Sequence, residues 1–317
     1  MKKNFFKLTI IFISLMFIYK YFVNNESVYY IISNFNYSKL FFLILAITFV
    51  IFLYAKLLLI ILTNLCGINI PNTKWYLIYF NSQFLNSIPL FGIFYRAIQL
   101  KKFHLSYDKF FGIYIMTNWF FIFLSLFLFS IESYFIFSNI KIFGFDLHFF
   151  IFILSFFFFI VPIFILLVLK FLTHKIKPKI KYFSTRVEKL INLFFNSISN
   201  KYFLKKFLFI FLLIHFFEFV VLILLISAFN QEISFQNSFI IFMGNILIDT
   251  FNILPQNLII SEIGLGLLTD KMNFNFELGV LIKIYFRFLL FFASVLIAIL
   301  YNVLNLLVFK KKLNKNV

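Results

Sequence analysis

Cysteine is almost absent from this chain of 317 residues: Cys66 stands alone, which excludes an internal disulfide and any cysteine-based metal site. Histidine is sparse too. The four are scattered, and none pairs with Glu at ligand spacing, so neither a metal nor another cofactor is expected. Acids are few, 11 against 29 Lys and Arg, giving a net charge of +18. Such an excess can mark a nucleic-acid binder. Here, however, the cations fall between long apolar runs, where cytoplasmic loops of membrane proteins carry them, so no nucleic-acid partner is expected. Proline is scarce as well, at five residues.

Apolar and aromatic side chains fill the space that is left. The chain is 63% hydrophobic, where a soluble domain is nearer about half. Its mean hydropathy of +1.01 agrees, and the sequence describes an integral membrane protein. The 57 Phe, with abundant Ile, Lys and Asn, suit an AT-rich coding sequence and are not read as a cofactor-binding box.

Apolar runs at about 5–23, 40–63, 110–130, 147–170, 207–229 and 278–308 are each near or above the roughly 20 residues that cross a bilayer. The first follows Lys2 and Lys3 like a signal peptide. Asn24, Asn25 and Glu26 stand where small cleavage-site residues belong, so it is expected to stay as an uncleaved span. Two further apolar segments, about 75–98 and 236–270, are broken by Pro and Gly. They are expected to be re-entrant hairpins, entering and leaving on one side.

Loop charges orient this scheme. Lys175, Lys177, Lys179, Lys181, Arg186, Lys189, Lys201 and Lys205 crowd the region 171–205 against Glu188. Lys74, Arg96, Lys101, Lys102 and Lys109 fill 64–109, and Lys310, Lys311, Lys312 and Lys315 the tail. These regions and the N-terminus are expected in the cytoplasm of a bacterium, with the chain in its inner membrane. The segments 24–39, 131–146 and 230–277 hold most of the acids and are expected outside. The expected fold is therefore all-α and polytopic, with about six transmembrane helices and two re-entrant hairpins in one membrane domain, 1–317. Half one covers about 1–130 and half two about 147–308.

The halves correspond. Asn86-Ser-Ile-Pro89 and Asn252-Ile-Leu-Pro255 lie 166 residues apart, and each Pro is followed seven residues later by a charge, Arg96 or Glu262. Opposite starting sides make this an inverted repeat, as in secondary transporters, whose substrate sites gather at such broken segments. Arg96 can grip a phosphate with two parallel hydrogen bonds. Asn86 and Asn252 either serve the substrate path or satisfy backbone groups freed by Pro. Gly92, Gly264 and Gly266 permit close turning or close helix contact. Asp249 lies in the first arm of the second hairpin, near Glu262.

Within the spans, Glu218 falls about eleven residues into its helix, near mid-depth, with His215 on the same face. It is either protonated and packed, or it pairs with a cation or carries a proton. Arg287 is also near mid-depth; Lys283, one turn earlier, is expected to snorkel outward, and Lys56 toward the inner end of its span.

The run from Asn86 through Pro89, Gly92 and Arg96 to Leu100 resembles the first signature of the lysylphosphatidylglycerol synthase transmembrane-region family, a flippase-like group. Pro255, Glu262, Gly264, Gly266 and Arg287 follow in the order of its second signature, except that Ile260 and Ser261 replace a Gly before the Glu. The resemblance implies a membrane fold with re-entrant segments and a role with envelope lipids. Bifunctional members add a soluble aminoacyl-transferase domain; only a short basic tail precedes Val317, so aminoacylation is not expected and the chain is not expected to be an enzyme.

The expected function is movement of an anionic phospholipid or lipid-linked envelope precursor between leaflets. Arg96 would contact the phosphate, Glu262 and Asp249 would gate, and Arg287 or Glu218 would complete the polar path. Two alternatives are a polyprenyl-phosphate-dependent membrane glycosyltransferase and a non-transporting scaffold bound to envelope-biosynthesis proteins. Glu26 and Asp146, each without an acidic neighbour, make a poor metal or base site for the first.

Overall fold

A computed structural model describes residues 26–86, 91–136, 141–142, 145–173, 199–250 and 260–313. The first expected span, 5–23, and most of the basic loop lie outside them. The helices are α1 (Glu26–Ser33), α2 (Leu40–Cys66), α3 (Asn72–Leu85), α4 (Phe91–Lys101) and α5 (Tyr107–Ile136). After a two-residue ladder of β1 (Lys141–Ile142) and β2 (Phe145–Asp146) come α6 (Leu147–Thr173), α7 (Lys201–Ala228), α8 (Phe235–Thr250), α9 (Ile260–Lys271) and α10 (Phe276–Leu313).

Four helical stretches are long and apolar enough to cross a membrane: Tyr37–Cys66, Tyr107–Phe135, Lys201–Ala228 and Phe276–Leu306. They coincide with four of the expected spans. Helix α6 covers a fifth, 147–170, as a helix of 27 residues. The chain is an all-α polytopic membrane protein.

The broken segments form pairs of short helices. At about 1.5 Å per residue, α3 and α4, with 14 and 11 residues, reach about 21 and 17 Å, short of the roughly 30 Å hydrocarbon core. Helices α8 and α9, with 16 and 12 residues, reach about 24 and 18 Å. In each pair the two arms pack on one another. Neither arm spans alone, as a re-entrant hairpin requires.

The order long, short, short, long thus occurs twice, in α2–α5 and in α7–α10. The helix ends repeat as well. Gly67 and Asn230 adopt positive φ just after the first long helix of each set, and His104 and Asn273 just after the second short arm. At these last two sites the capping bonds match. Leu105 N–H donates to Leu100 C=O at 3.3 Å and Phe274 N–H to Thr269 C=O at 3.0 Å, the six-residue closure that ends a helix on a left-handed residue. Helix starts are local too: the Asn200 side chain accepts from the N–H groups of Tyr202 and Phe203, and Ser234 accepts from Asn237.

The chain divides into two compact units that interleave the sequence halves. The first comprises Met1–Phe49 and Phe217–Ala293, the second Val50–Phe216 and Ser294–Val317. The halves therefore correspond in sequence without being separate bodies; each unit takes one hairpin. In the first, Phe35, Phe229 and Tyr285 form a ring cluster with centroids 5.0–5.1 Å apart. Lys39 Nζ donates to the Ser227 carbonyl at 2.8 Å, placing a cation on the negative end of α7. The second has an apolar core built by Leu57 and Ile61 of α2, Phe120 and Leu124 of α5, and Phe207 and Phe211 of α7.

Candidate functional site: buried charge in two hairpins

The second unit holds the first hairpin. Its outer arm is fixed by Trp75, whose indole donates to the Ala55 carbonyl of α2 at 2.8 Å, and by Asn81, which accepts from Asn302 of α10 at 2.9 Å. The arms meet tightly at Gly92. A Cβ there would run into the Ser82 carbonyl and the Asn86 side-chain oxygen, so only glycine lets α4 approach α3 this closely.

That approach sets Arg96, at the middle of α4, inside the protein at 5% exposure. Its guanidinium carbon lies 5.3 Å from the ring centre of Tyr79 and 6.0 Å from that of Tyr114. Among the described residues no carboxylate forms an ion pair with it, and its Nε has no hydrogen-bond partner. A polar chain runs up to this cation: Asn86 donates to Gln83 at 2.6 Å, and Gln83 donates to the Tyr79 hydroxyl at 2.9 Å. The stripe Tyr79, Gln83, Asn86 has helical spacing, so its shared face was readable from sequence; its convergence on Arg96 depends on tertiary packing.

The first unit holds the second hairpin. Glu262, in the first turn of α9, is buried at 6% exposure. Its Oε1 lies 2.6 Å from Arg287 Nη1 of α10. Arg287 Nη2 donates to Ser261 Oγ at 2.5 Å, and Ser261 Oγ donates to Glu262 Oε2 at 3.3 Å. The three side chains close a ring in which a carboxylate is held by both a cation and the positive end of its own helix. Gly279 permits the contact of α9 with α10, since a Cβ there would meet the Leu265 carbonyl and the Thr269 hydroxyl.

Lys283 corrects an expectation. It is buried at 2% exposure and donates to Asn245 Oδ1 of α8 at 2.6 Å. It does not snorkel, because one turn from Arg287 it faces the hairpin rather than the outside. Lys56 is exposed on α2. Asp249 follows Asn245 by one turn in α8, but its side chain, with Pro89, Asn252 and Pro255, lies outside the described residues. Gly264 packs against Ile248 and Gly266 against Phe276 and Val280, so both are contact glycines. Glu218 is half-buried in α7.

Arg96 belongs to the second unit and Glu262 to the first. Within its own unit, each charge is served by groups the sequence left unassigned: the rings of Tyr79 and Tyr114 for Arg96, and Ser261 beside the expected Arg287 for Glu262. Among the described residues no group of His, Cys, Asp and Glu is placed to hold a metal ion.

Long apolar helices with two pairs of short helices, each pair carrying buried charge, define a multi-pass membrane protein. The chain belongs to the lysylphosphatidylglycerol synthase TM region family, whose model matches residues 4–298. That family is a membrane region of lipid and envelope metabolism and is not itself a catalytic domain. No curated protein and no solved structure matches the chain.

Proposed function

We propose that this protein moves an anionic phospholipid or a lipid-linked envelope precursor between the leaflets of the bacterial inner membrane. Arg96, which has no ion-pair partner among the described residues, carries the reading. A buried charge without a counter-ion costs several kcal/mol, roughly 3–5 when its partner is removed. The cost is offset when an anion arrives, and a phosphate fits the planar fork of the guanidinium. The two tyrosine rings hold that fork without neutralising it. The second hairpin differs in kind, because Glu262 is already matched by Arg287. On this reading the first hairpin binds and the second, with its internal ion pair, opens and closes. The cations of the basic loop, of the tail and of the region around Arg96 favour a cytoplasmic first hairpin, the side where anionic head groups would be loaded.

Liposomes carrying the purified protein and a tail-labelled fluorescent phosphatidylglycerol provide the test. A membrane-impermeant reductant bleaches only the outer leaflet unless the protein brings inner-leaflet lipid out. The wild type should carry bleaching past the outer-leaflet limit, and Arg96→Ala should slow it at least tenfold. A wild-type rate from Arg96→Ala removes the arginine from the mechanism. Absence of lipid movement by the folded wild type removes the transport reading.

A further inference from the structure

Outside both hairpins, the described residues include a part-buried ionisable pair. Glu132 sits near the end of α5, in a stretch whose acids suggested an outer loop, and it instead lies inside the helix and pairs with another. Its Oε2 is 3.5 Å from Nε2 of His215 in α7, both in the second unit. The imidazole side chain is 8% exposed and the carboxylate 33%. Phe211, part of the apolar core, lies one turn before His215 with its ring 6.3 Å away at 25°.

We infer that Glu132 and His215 form a proton-binding site that links lipid movement to the pH difference across the membrane; this rests on the transport reading given above. Three observations support it. Imidazole is the side chain whose ordinary titration falls between pH 5 and 8. At 3.5 Å the two groups are within ion-pair range but longer than a good charge-assisted hydrogen bond of about 2.7–2.9 Å, so a proton taken up on His215 has a contact to tighten. The surroundings are apolar on the His side, where a change of charge acts over a longer range than in water. Glu132, one third exposed, gives the proton its entry.

Other titratable groups stand on the helices around the pair. Helix α2 offers Lys56, which is exposed. Helix α6 offers His148, whose ring stands edge-on to Tyr134 of α5 at 5.1 Å. Helix α7 offers Glu218, three residues beyond His215 and half-buried. Uptake is balanced simply: His215 gains one proton from the acid side, the pair becomes imidazolium and carboxylate, and release to the other side restores the start.

The same liposomes test this with the phosphatidylglycerol assay run at symmetric pH 7.5 and with one side brought to pH 5.5. The wild type should move lipid faster under the gradient. His215→Gln and Glu132→Gln should keep the symmetric-pH rate and lose the acceleration. An entrapped pH dye should show proton entry accompanying lipid movement in the wild type and not in either variant. Wild-type lipid movement that ignores the gradient, or variants that keep the full acceleration, overturns this inference and leaves the transport reading standing. No lipid movement by the wild type in any condition overturns both.

Discussion

At the scale of single residues, the two hairpins solve the problem of charge in a membrane in opposite ways. Glu262 is matched by Arg287 and closed by Ser261, so removing one partner takes from the other its closest opposite charge. Arg287→Ala should lower unfolding stability by about 3 kcal/mol, the usual cost of an orphaned buried charge. The double variant Glu262→Leu with Arg287→Leu should lose less than Arg287→Ala alone, since neither charge is left behind. Denaturant or thermal unfolding in detergent measures both. Arg96, held between Tyr79 and Tyr114 and without an ion-pair partner among the described residues, follows the other rule: losing it strands no carboxylate there, so Arg96→Ala should leave stability nearly unchanged while slowing transport at least tenfold. A stability loss equal to that of Arg287→Ala would mean that Arg96 is structural.

At the scale of elements, the hairpin is the unit that positions charge, and Gly92 is its hinge of closest approach. Gly92→Leu must push α4 off the Ser82 carbonyl. Overpacking of this sort costs roughly 1–3 kcal/mol, and it should also take Arg96 away from its two rings. Spin labels on exposed positions of the two arms, Phe84 and Phe94, should report a wider separation in Gly92→Leu than in wild type; an unchanged distance would show that the arms are held elsewhere.

Much of this level was legible in the sequence. Proline and glycine breaks located both hairpins to within a few residues, and apolar length located the long helices, because bilayer thickness imposes both signals. The left-handed caps at His104 and Asn273 carry no comparable mark, since neither residue is a glycine. Lys283 turns inward because snorkelling depends on which way a helix face turns, and in α10 that face meets Asn245 of α8. The pairing of Glu132 with His215 joins residues 83 positions apart and leaves no local pattern at all.

At the scale of the whole molecule, the repeat explains why a chain this apolar keeps its few buried charges. Two sets of long, short, short and long helices carry matching breaks with opposite charge, so the correspondence is one of backbone and the chemistry has diverged. On the transport reading this inequality gives the hairpins different tasks: the first presents its arginine to a head group, and the second keeps its charge matched within itself. The family places the chain among membrane regions of lipid or envelope metabolism, and a cation without an ion-pair partner among the described residues suggests an anionic lipid to try.

The most direct measurement is therefore the ratio of transbilayer rates for a phosphatidylglycerol probe and a phosphatidylcholine probe, taken in the same proteoliposomes with wild type and Arg96→Ala. An unmatched guanidinium in the path predicts that the wild type favours the lipid with net negative charge, and that Arg96→Ala abolishes the preference. Equal rates for the two lipids in wild type, or an undiminished preference in Arg96→Ala, would contradict the account.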